Sequence, residues 1–151
     1  MLRQLTTIPF DTVMPGSQMA LQIRIRDDAA PLTVEDGSQL EKVLNAETEE
    51  ARRRGVLGAV LLEAVNGNVI TMVVGGEETV LSFDYGHHNP PYYSSRGPSN
   101  ADEPMLTCFL TFQHHTEFPR KYVIPVTDGV KAVRQFLDSG DLPTCINWEE
   151  V

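Results

Sequence analysis

The fold is indicated most directly by residues 56–85, which read VLGAVLLEAVNGNVITMVVGGEETVLSFDY. Two apolar runs flank Asn66-Gly67, a dipeptide typical of the tight turn of a β-hairpin, and Gly75-Gly76 begins a second turn. Because connections this short have no room for crossover helices, the strands are predicted to form an antiparallel meander. The three predicted strands are Val56–Val65, Val69–Val74 and Thr79–Tyr85.

The residues before this meander predict one strand and one helix. Apolar and polar residues alternate over 19–26 (MALQIRIR), which is typical of a strand with one buried face, and the polar stretch 27–37 is predicted to be a loop. Ser38 followed by Glu41 forms a capping box, the signature of a helix start. Three arginines before Gly55 suit a helix C-terminus, so this helix can extend to residue 54.

The residues after the meander predict a second helix and two further strands. The helix is expected to begin after a Thr127 cap and to end at Gly140, a residue type that favours helix C-termini. Trp148, in the tail that follows, is expected to pack near Phe136 and to fasten the tail to the sheet. The other predicted elements are a strand at 105–112, a turn at 114–119 and a short strand at 121–125.

The order of these elements predicts a single α+β domain, with one mostly antiparallel sheet and two helices packed on one face of it. A chain of 151 residues suits one domain spanning 1–151, in which residues 1–18 form an irregular lead-in. No apolar run approaches the ~18–20 residues that cross a membrane. The first residues also lack the pattern of a secretory signal peptide, so we expect a cytoplasmic protein.

The charge balance limits the choice of partner. The chain carries 12 basic and 21 acidic side chains, which gives a formal net charge of −9. Nucleic acid is therefore not expected as a direct partner, because the binding of phosphates requires a basic face. The charge can serve solubility alone, or it can steer association with a basic protein. Composition leaves both interpretations open.

Candidate catalytic groups are few. Asp84, His87 and His88 could bring a carboxylate and imidazoles together at a strand end, which makes a small metal-dependent hydrolase one alternative. Residues 115–117 (HTE) match the first half of a zinc deaminase motif, but its second half needs two cysteines and the chain offers only Cys145 there. The sequence therefore predicts no catalytic residues, no bound metal and no cofactor.

The long segment 86–104 carries the candidate binding residues. It contains four prolines and no predicted element, and loops of this length inside compact domains are usually functional or disordered. Tyrosine and arginine are enriched in binding hot spots, and carboxylates would answer a basic partner. The alternative is a loop folded back onto its own sheet, with both tyrosines packed and the arginine paired internally. The predicted partner-binding residues are Tyr92, Tyr93, Arg96, Asp102 and Glu103.

Several short motifs follow one another in order over residues 56–150. A tyrosine-rich segment with an Arg-Gly pair precedes an apolar strand, and a Phe-Pro turn and an Ile-Pro strand end come next. The second helix then ends in Phe-Leu-x-x-Gly, and Pro-x-x-x-x-Trp completes the series. In this order the chain resembles the first-numbered immunity-protein family of bacterial polymorphic toxin systems. The motifs that carry the resemblance lie at Tyr92–Gly97, Phe118-Pro119, Ile124-Pro125, Phe136–Gly140 and Pro143–Trp148.

The resemblance implies an immunity protein that binds and neutralises a cognate toxin. Such proteins are made beside a secreted toxin, often a nucleic-acid deaminase and sometimes a nuclease, and the family offers no catalytic residues. The resemblance thus implies a basic, nucleic-acid-acting toxin domain as partner, whose substrate cleft an acidic inhibitor would block. Besides the hydrolase, the other alternative is a housekeeping interaction domain outside any toxin system.

Overall fold

The computed structural model describes residues 20–25, 30–109 and 115–151, and these contain eleven strands and two α-helices. The lead-in predicted at 1–18 lies outside them. Neither helix in these ranges combines the length and apolar character needed to cross a membrane. In chain order the elements are β1 (Leu21–Arg24), β2 (Leu32–Val34), α1 (Gly37–Arg54), β3 (Gly58–Ala64), β4 (Val69–Val74), β5 (Glu78–Thr79), β6 (Leu81–Asp84), β7 (Tyr92–Ser95), β8 (Leu106–Phe109), β9 (His115–Phe118), β10 (Ile124–Pro125), α2 (Val126–Ser139) and β11 (Trp148–Glu150).

Seven strands form the central sheet in the order β11-β7-β6-β4-β3-β1-β2, and each neighbouring pair is antiparallel. The predicted α+β class is confirmed. The predicted meander is also present and runs through β3, β4 and β6. The strand predicted at 79–85 is divided at Val80. Before this residue β5 pairs with β10 in a separate sheet, and after it β6 pairs with β4 in the central sheet. The turns at Asn66-Gly67 and Gly75-Gly76 lie where the sequence predicted them.

Both helices pack on the same face of the central sheet, as predicted. Leu40 and Leu44 from α1 lie in one apolar core with Phe136 and Leu137 from α2, and all four are buried. Alternate side chains along a strand point to one face, so the sheet buries one side chain in two. The core residues of its three middle strands are Val60, Leu62, Ala64, Ile70, Met72, Val74, Leu81 and Phe83.

The start of α1 differs from the predicted one. The Asp36 carboxylate accepts a hydrogen bond from the backbone N–H of Gln39 at 2.8 Å, and the helix begins directly after Asp36. An aspartate caps a helix as well as a serine does, so Asp36 occupies the cap position that the capping box assigned to Ser38. The helix ends at Arg54 before Gly55, whose left-handed backbone (φ 76°) is typical of a glycine C-cap.

The helix α2 also begins two residues before its predicted start. The helix begins at Val126, before the expected Thr127 cap, and has no side-chain cap. Instead, the Val126 N–H donates to the carbonyl oxygen of Glu77 at 2.9 Å, which ties the helix start to the chain just before β5. The strand predicted at 121–125 begins too early, because a 3-10 turn, Arg120–Tyr122, occupies its first two positions. The backbone is extended at Val123, and β10 follows directly.

Three strands occupy segments that were predicted to be loops or turns. β2 lies within 27–37, β7 within 86–104 and β9 within 114–119. Each is short, and its extended conformation comes from pairing with a neighbour rather than from its own pattern. The strand predicted at 105–112 is confirmed over β8, and residues 110–112 lie outside the described ranges. β8 pairs with β9 in a separate two-stranded sheet.

A second, smaller apolar cluster lies on the face of the central sheet opposite the helices. Val73 of β4 belongs to it, because the residues on either side of Val73 face the helices. β8 packs there through Cys108, which is fully buried. The Phe109 N–H donates to the Leu57 carbonyl oxygen at 2.8 Å, so β8 ends beside the beginning of β3. The cluster thus covers one end of this face.

The two cysteines should differ strongly in reactivity. Burial raises the pKa of the Cys108 thiol to about 11, so little reactive thiolate forms at neutral pH, whereas Cys145 is exposed. We expect iodoacetamide to modify Cys145 in the folded protein and Cys108 only after unfolding, as measured by mass spectrometry. Equal labelling rates would contradict this.

The same pKa shift makes stability depend on pH. Because the unfolded chain ionises the thiol near its ordinary pKa of 9.0, the contribution of Cys108 to stability is present below pH 9.0. It is lost as the pH rises towards about 11.

Candidate functional site

The predicted partner-binding residues do not lie together, beginning with the two tyrosines of β7. Side chains alternate between faces along a strand, so these neighbours point in opposite directions. Tyr92 lies opposite Asp84 of β6 on the helix-free face, and it is 36% exposed. Tyr93 lies opposite Phe83 and packs against the main core, with its ring centroid 6.4 Å from that of Tyr85. Of the two tyrosines, Tyr92 is therefore the more accessible to a partner.

Arg96 is bonded within the protein. Its guanidinium forms an ion pair with Glu149 of β11, with 3.0 Å between Nε and the carboxylate oxygen. It also donates to the side-chain oxygen of Asn100 at 2.7 Å. This is the internal pairing expected of a segment that folds back onto its own sheet. Arg96 therefore holds the residues after β7 in position. Three backbone carbonyl oxygens accept its remaining hydrogen bonds, those of Gly97, Ser99 and Lys121.

Asp102 and Glu103 are exposed. They follow the C-terminal end of β7, whereas Tyr92 is the first residue of that strand. The Asp102 carbonyl oxygen accepts a hydrogen bond from the Arg120 N–H at 2.7 Å, which fastens this segment beside the 3-10 turn. The two carboxylates point to solvent there. The acidic pair and Tyr92 are therefore two separate surface features.

Of the candidate hydrolase residues, Asp84 and His87 lie on different sides of the sheet. Asp84 lies on the helix-free face of β6, whereas His87 stacks on the ring of Tyr85, which packs against the core on the other side (centroids 5.4 Å apart). His88 is exposed, and its carbonyl oxygen accepts a hydrogen bond from the Tyr92 hydroxyl at 3.2 Å. Within the described ranges, no three side chains of metal-binding type gather closely enough to hold an ion.

The helix-free face carries a row of partly exposed side chains at the end away from the second cluster. The register places Glu63 of β3, Val69 of β4, Asp84 of β6 and Tyr92 of β7 side by side. Neighbouring strands are ~4.8 Å apart, so the row spans roughly 14 Å. We call this row, together with Val65 just beyond β3, the open face.

A hydrogen-bond network holds this end of the sheet in place. The side-chain amides of Asn66 and Asn68 both donate to the carbonyl oxygen of Gly140, at 3.0 and 2.9 Å. The side-chain oxygen of Asn68 accepts from the Gly86 N–H at 2.9 Å. A Cβ on Gly86 would lie 2.7 Å from the carbonyl oxygen of Asn66, so the two turns are in close contact. The network thus joins the β3–β4 turn to the ends of β6 and α2.

Glu63, Val65 and Val69 were not among the predicted site residues, and Asp84 was considered only as a metal ligand. The sequence did indicate that Glu63 and Val65 point outward. Glu63 and Val65 alternate with Leu62 and Ala64, which are buried, and such a period of two marks an outward side of a strand.

The family model of immunity protein Imm1 matches residues 20–150. This chain belongs to the Imm1 immunity-protein family. The resemblance drawn from the motifs in 56–150 is confirmed, and the match to Imm1 also takes in β1, β2 and α1. No curated protein matches the chain. Membership of Imm1 supports an immunity function, and with it a cognate toxin as partner.

Proposed function

We propose that this Imm1 protein neutralises a toxin that acts on nucleic acid, a deaminase or a nuclease, by occupying the basic substrate cleft of the toxin. The observation that carries the proposal is the net charge of −9. A toxin that binds DNA or RNA presents lysine and arginine to the phosphates. An acidic inhibitor is attracted to that same surface and competes with the nucleic acid for it.

The exposed members of the predicted set supply the chemistry that such a cleft recognises. The exposed carboxylates of Asp102 and Glu103 can meet basic side chains at the edge of such a cleft, and the ring of Tyr92 can take the place of a base within it. Tyr93 and Arg96 hold these three exposed residues in position. Tyr93 anchors β7 to the core, and Arg96 holds the segment that leads to the acidic pair.

In this proposal the protein is an inhibitor and not an enzyme, it needs no cofactor, and it acts in the cytoplasm of the cell that makes the toxin. The positions of Asp84 and His87 on opposite sides of β6 support the first point, because a hydrolase would need them within reach of one substrate. Family membership favours an immunity function over a housekeeping interaction domain.

Association with the cognate toxin domain should slow about tenfold or more as ionic strength rises from about 0.01 M to about 0.15 M. Over this range the Debye length shortens from about 30 Å to about 8 Å, which weakens electrostatic steering. Stopped-flow mixing with the toxin domain encoded beside this protein measures the rate. The dissociation rate is the internal control, because it should change much less.

Two results would contradict the proposal. A flat association rate would mean that the charge serves solubility alone. Inhibition of the toxin while it still binds DNA or RNA at full affinity would mean that the inhibitor does not occupy the cleft.

A further inference from the structure

We propose that the toxin docks on the open face, and that the surface of the toxin that contacts it is the basic lining of its substrate cleft. This inference rests on the proposed function. It places the centre of the interface on the central sheet and not on the segment 97–104.

Exposed apolar side chains concentrate at the open face. Four large hydrophobic residues are exposed in the described part of the chain, and two of them, Val65 (60%) and Tyr92 (36%), belong to this face. A third, Val151 (60%), adjoins Tyr92, because the Val151 N–H donates to the Tyr92 carbonyl oxygen at 2.9 Å. A cluster of exposed apolar side chains marks an interaction site, whereas scattered single ones are ordinary.

The open face also carries two carboxylates with no partner among the described residues. Glu63 and Asp84 flank Val69 in the register, and neither side chain makes a hydrogen bond or an ion pair there. Arg24 of β1 lies on the same side of the sheet, but it is aligned with Leu61 and makes no ion pair with Glu63. An arginine or lysine of a partner would give both carboxylates charge-assisted hydrogen bonds. The face therefore suits a basic partner.

Three of the four glutamates of α1, Glu41, Glu49 and Glu50, already have an arginine partner, so this helix is a weaker match for a basic partner. Glu49 binds Arg52 at 3.1 Å, and Glu50 binds Arg53 at 2.5 Å, each one turn further along the helix. The field of these carboxylates is already offset by a neighbouring guanidinium, so they attract a basic surface less than unpaired carboxylates do.

The open face is also pre-organised. Its strands end in the turns that Asn66 and Asn68 tie to Gly140 and Gly86. A surface held by such a network loses little conformational entropy when a partner binds, which favours affinity. Tyr92, the largest exposed side chain of the row, adds a rigid aromatic anchor of the kind enriched in hot spots.

The matched test removes two charges from each of two surfaces. Glu63→Gln with Asp84→Asn removes them from the open face, and Asp102→Asn with Glu103→Gln removes two from the segment 97–104. We expect the open-face pair to raise the Kd for the cognate toxin domain about 30-fold, and the control pair to raise it about threefold at most. Isothermal titration calorimetry at one fixed ionic strength measures both.

A second comparison tests the sign of the charge that faces this surface. Val65 is exposed, so the fold tolerates its replacement, and both variants should melt at the wild-type temperature. Both variants lose the apolar contact of Val65. Val65→Lys also sets a positive charge against a basic surface and should weaken binding about tenfold, whereas Val65→Glu gains attraction and should weaken binding about twofold at most.

Wild-type affinity in the open-face pair, or a larger loss in the control pair, would overturn the inference and leave the proposed function intact. Equal effects of Val65→Lys and Val65→Glu would also overturn it, because the contacting surface would then not be basic. If the wild-type protein neither binds nor inhibits the toxin domain, the proposed function fails and this inference fails with it.

Discussion

Replacing Phe136 with alanine should lower the free energy of unfolding by about 3–5 kcal/mol. Phe136 is completely buried where α2 meets the central sheet, and its ring packs edge-to-face on Phe83 with centroids 6.1 Å apart. The substitution removes apolar contact on both sides and leaves a cavity that neighbours on a sheet and a helix can fill only in part. Since a domain is usually stable by ~5–15 kcal/mol, this is a large share of the total.

Urea unfolding followed by tryptophan fluorescence measures this loss, because Trp148 is the only tryptophan and its ring lies 6.2 Å from that of Phe83. Asp138→Ala is the control, an exposed position on the same helix, and should change stability by less than about 0.5 kcal/mol. A loss below about 1 kcal/mol for Phe136→Ala would show that α2 is held by other contacts. The folded fraction should bind the toxin normally, since Phe136 lies on the far side of the sheet from the open face.

The C-terminal tail shows how far a sequence pattern reaches. Trp148 was predicted to pack near Phe136 and to fasten the tail to the sheet. The fastening is confirmed, because β11 pairs with β7 and the Trp148 indole N–H donates to the Pro143 carbonyl oxygen at 2.7 Å. The ring of Trp148 packs on Phe83, which packs on Phe136 in turn. The sequence showed that the tail has an anchor, but the order of the rings depends on the strand pairing.

Elements that carry their own local signal were predicted well. β4 has the predicted bounds, and α1 ends at Arg54 as the arginines before Gly55 indicated. β7 carries no such signal. It is four residues long, follows two prolines, and owes its extended backbone to β6 on one side and to β11, far along the chain, on the other.

The candidate site was hard to predict for the same reason. Tyr92 and Tyr93 were treated as one pair because they are adjacent in sequence, but adjacent residues on a strand face opposite sides of the sheet. Arg96 has the composition of a hot-spot residue, yet its position just after β7 surrounds it with carbonyl oxygens and Glu149. Which of these residues is exposed depends on the existence of β7.

The substitution Gly97→Ala should lower the free energy of unfolding by about 3 kcal/mol or more. A Cβ at this position would lie 2.0 Å from the carbonyl oxygen of Val123 and 3.1 Å from its carbonyl carbon. Backbone atoms cannot turn aside as a side chain can, so the two segments must separate. That movement also breaks the hydrogen bond from the Gly97 N–H to the Lys121 carbonyl oxygen, which is 2.7 Å long.

Gly55→Ala is the matched control, because it tests backbone conformation without a clash. No atom lies within 4 Å of a Cβ at Gly55, and its φ of 76° should make alanine cost only about 1–2 kcal/mol. Urea unfolding of both variants compares the two effects. Wild-type stability of Gly97→Ala would mean that the segment after β7 moves freely away from Val123.

The same variant separates the two surfaces that a toxin can use. Gly97 follows β7 at the end remote from Tyr92, so the shift it forces falls on the segment that carries Asp102 and Glu103. The open face is held independently, by the network around Asn68 at the other end of the sheet. If the toxin docks on the segment 97–104, the folded fraction of Gly97→Ala should lose affinity. If it docks on the open face, that fraction should bind with wild-type Kd although its stability is reduced, and this is the result we expect.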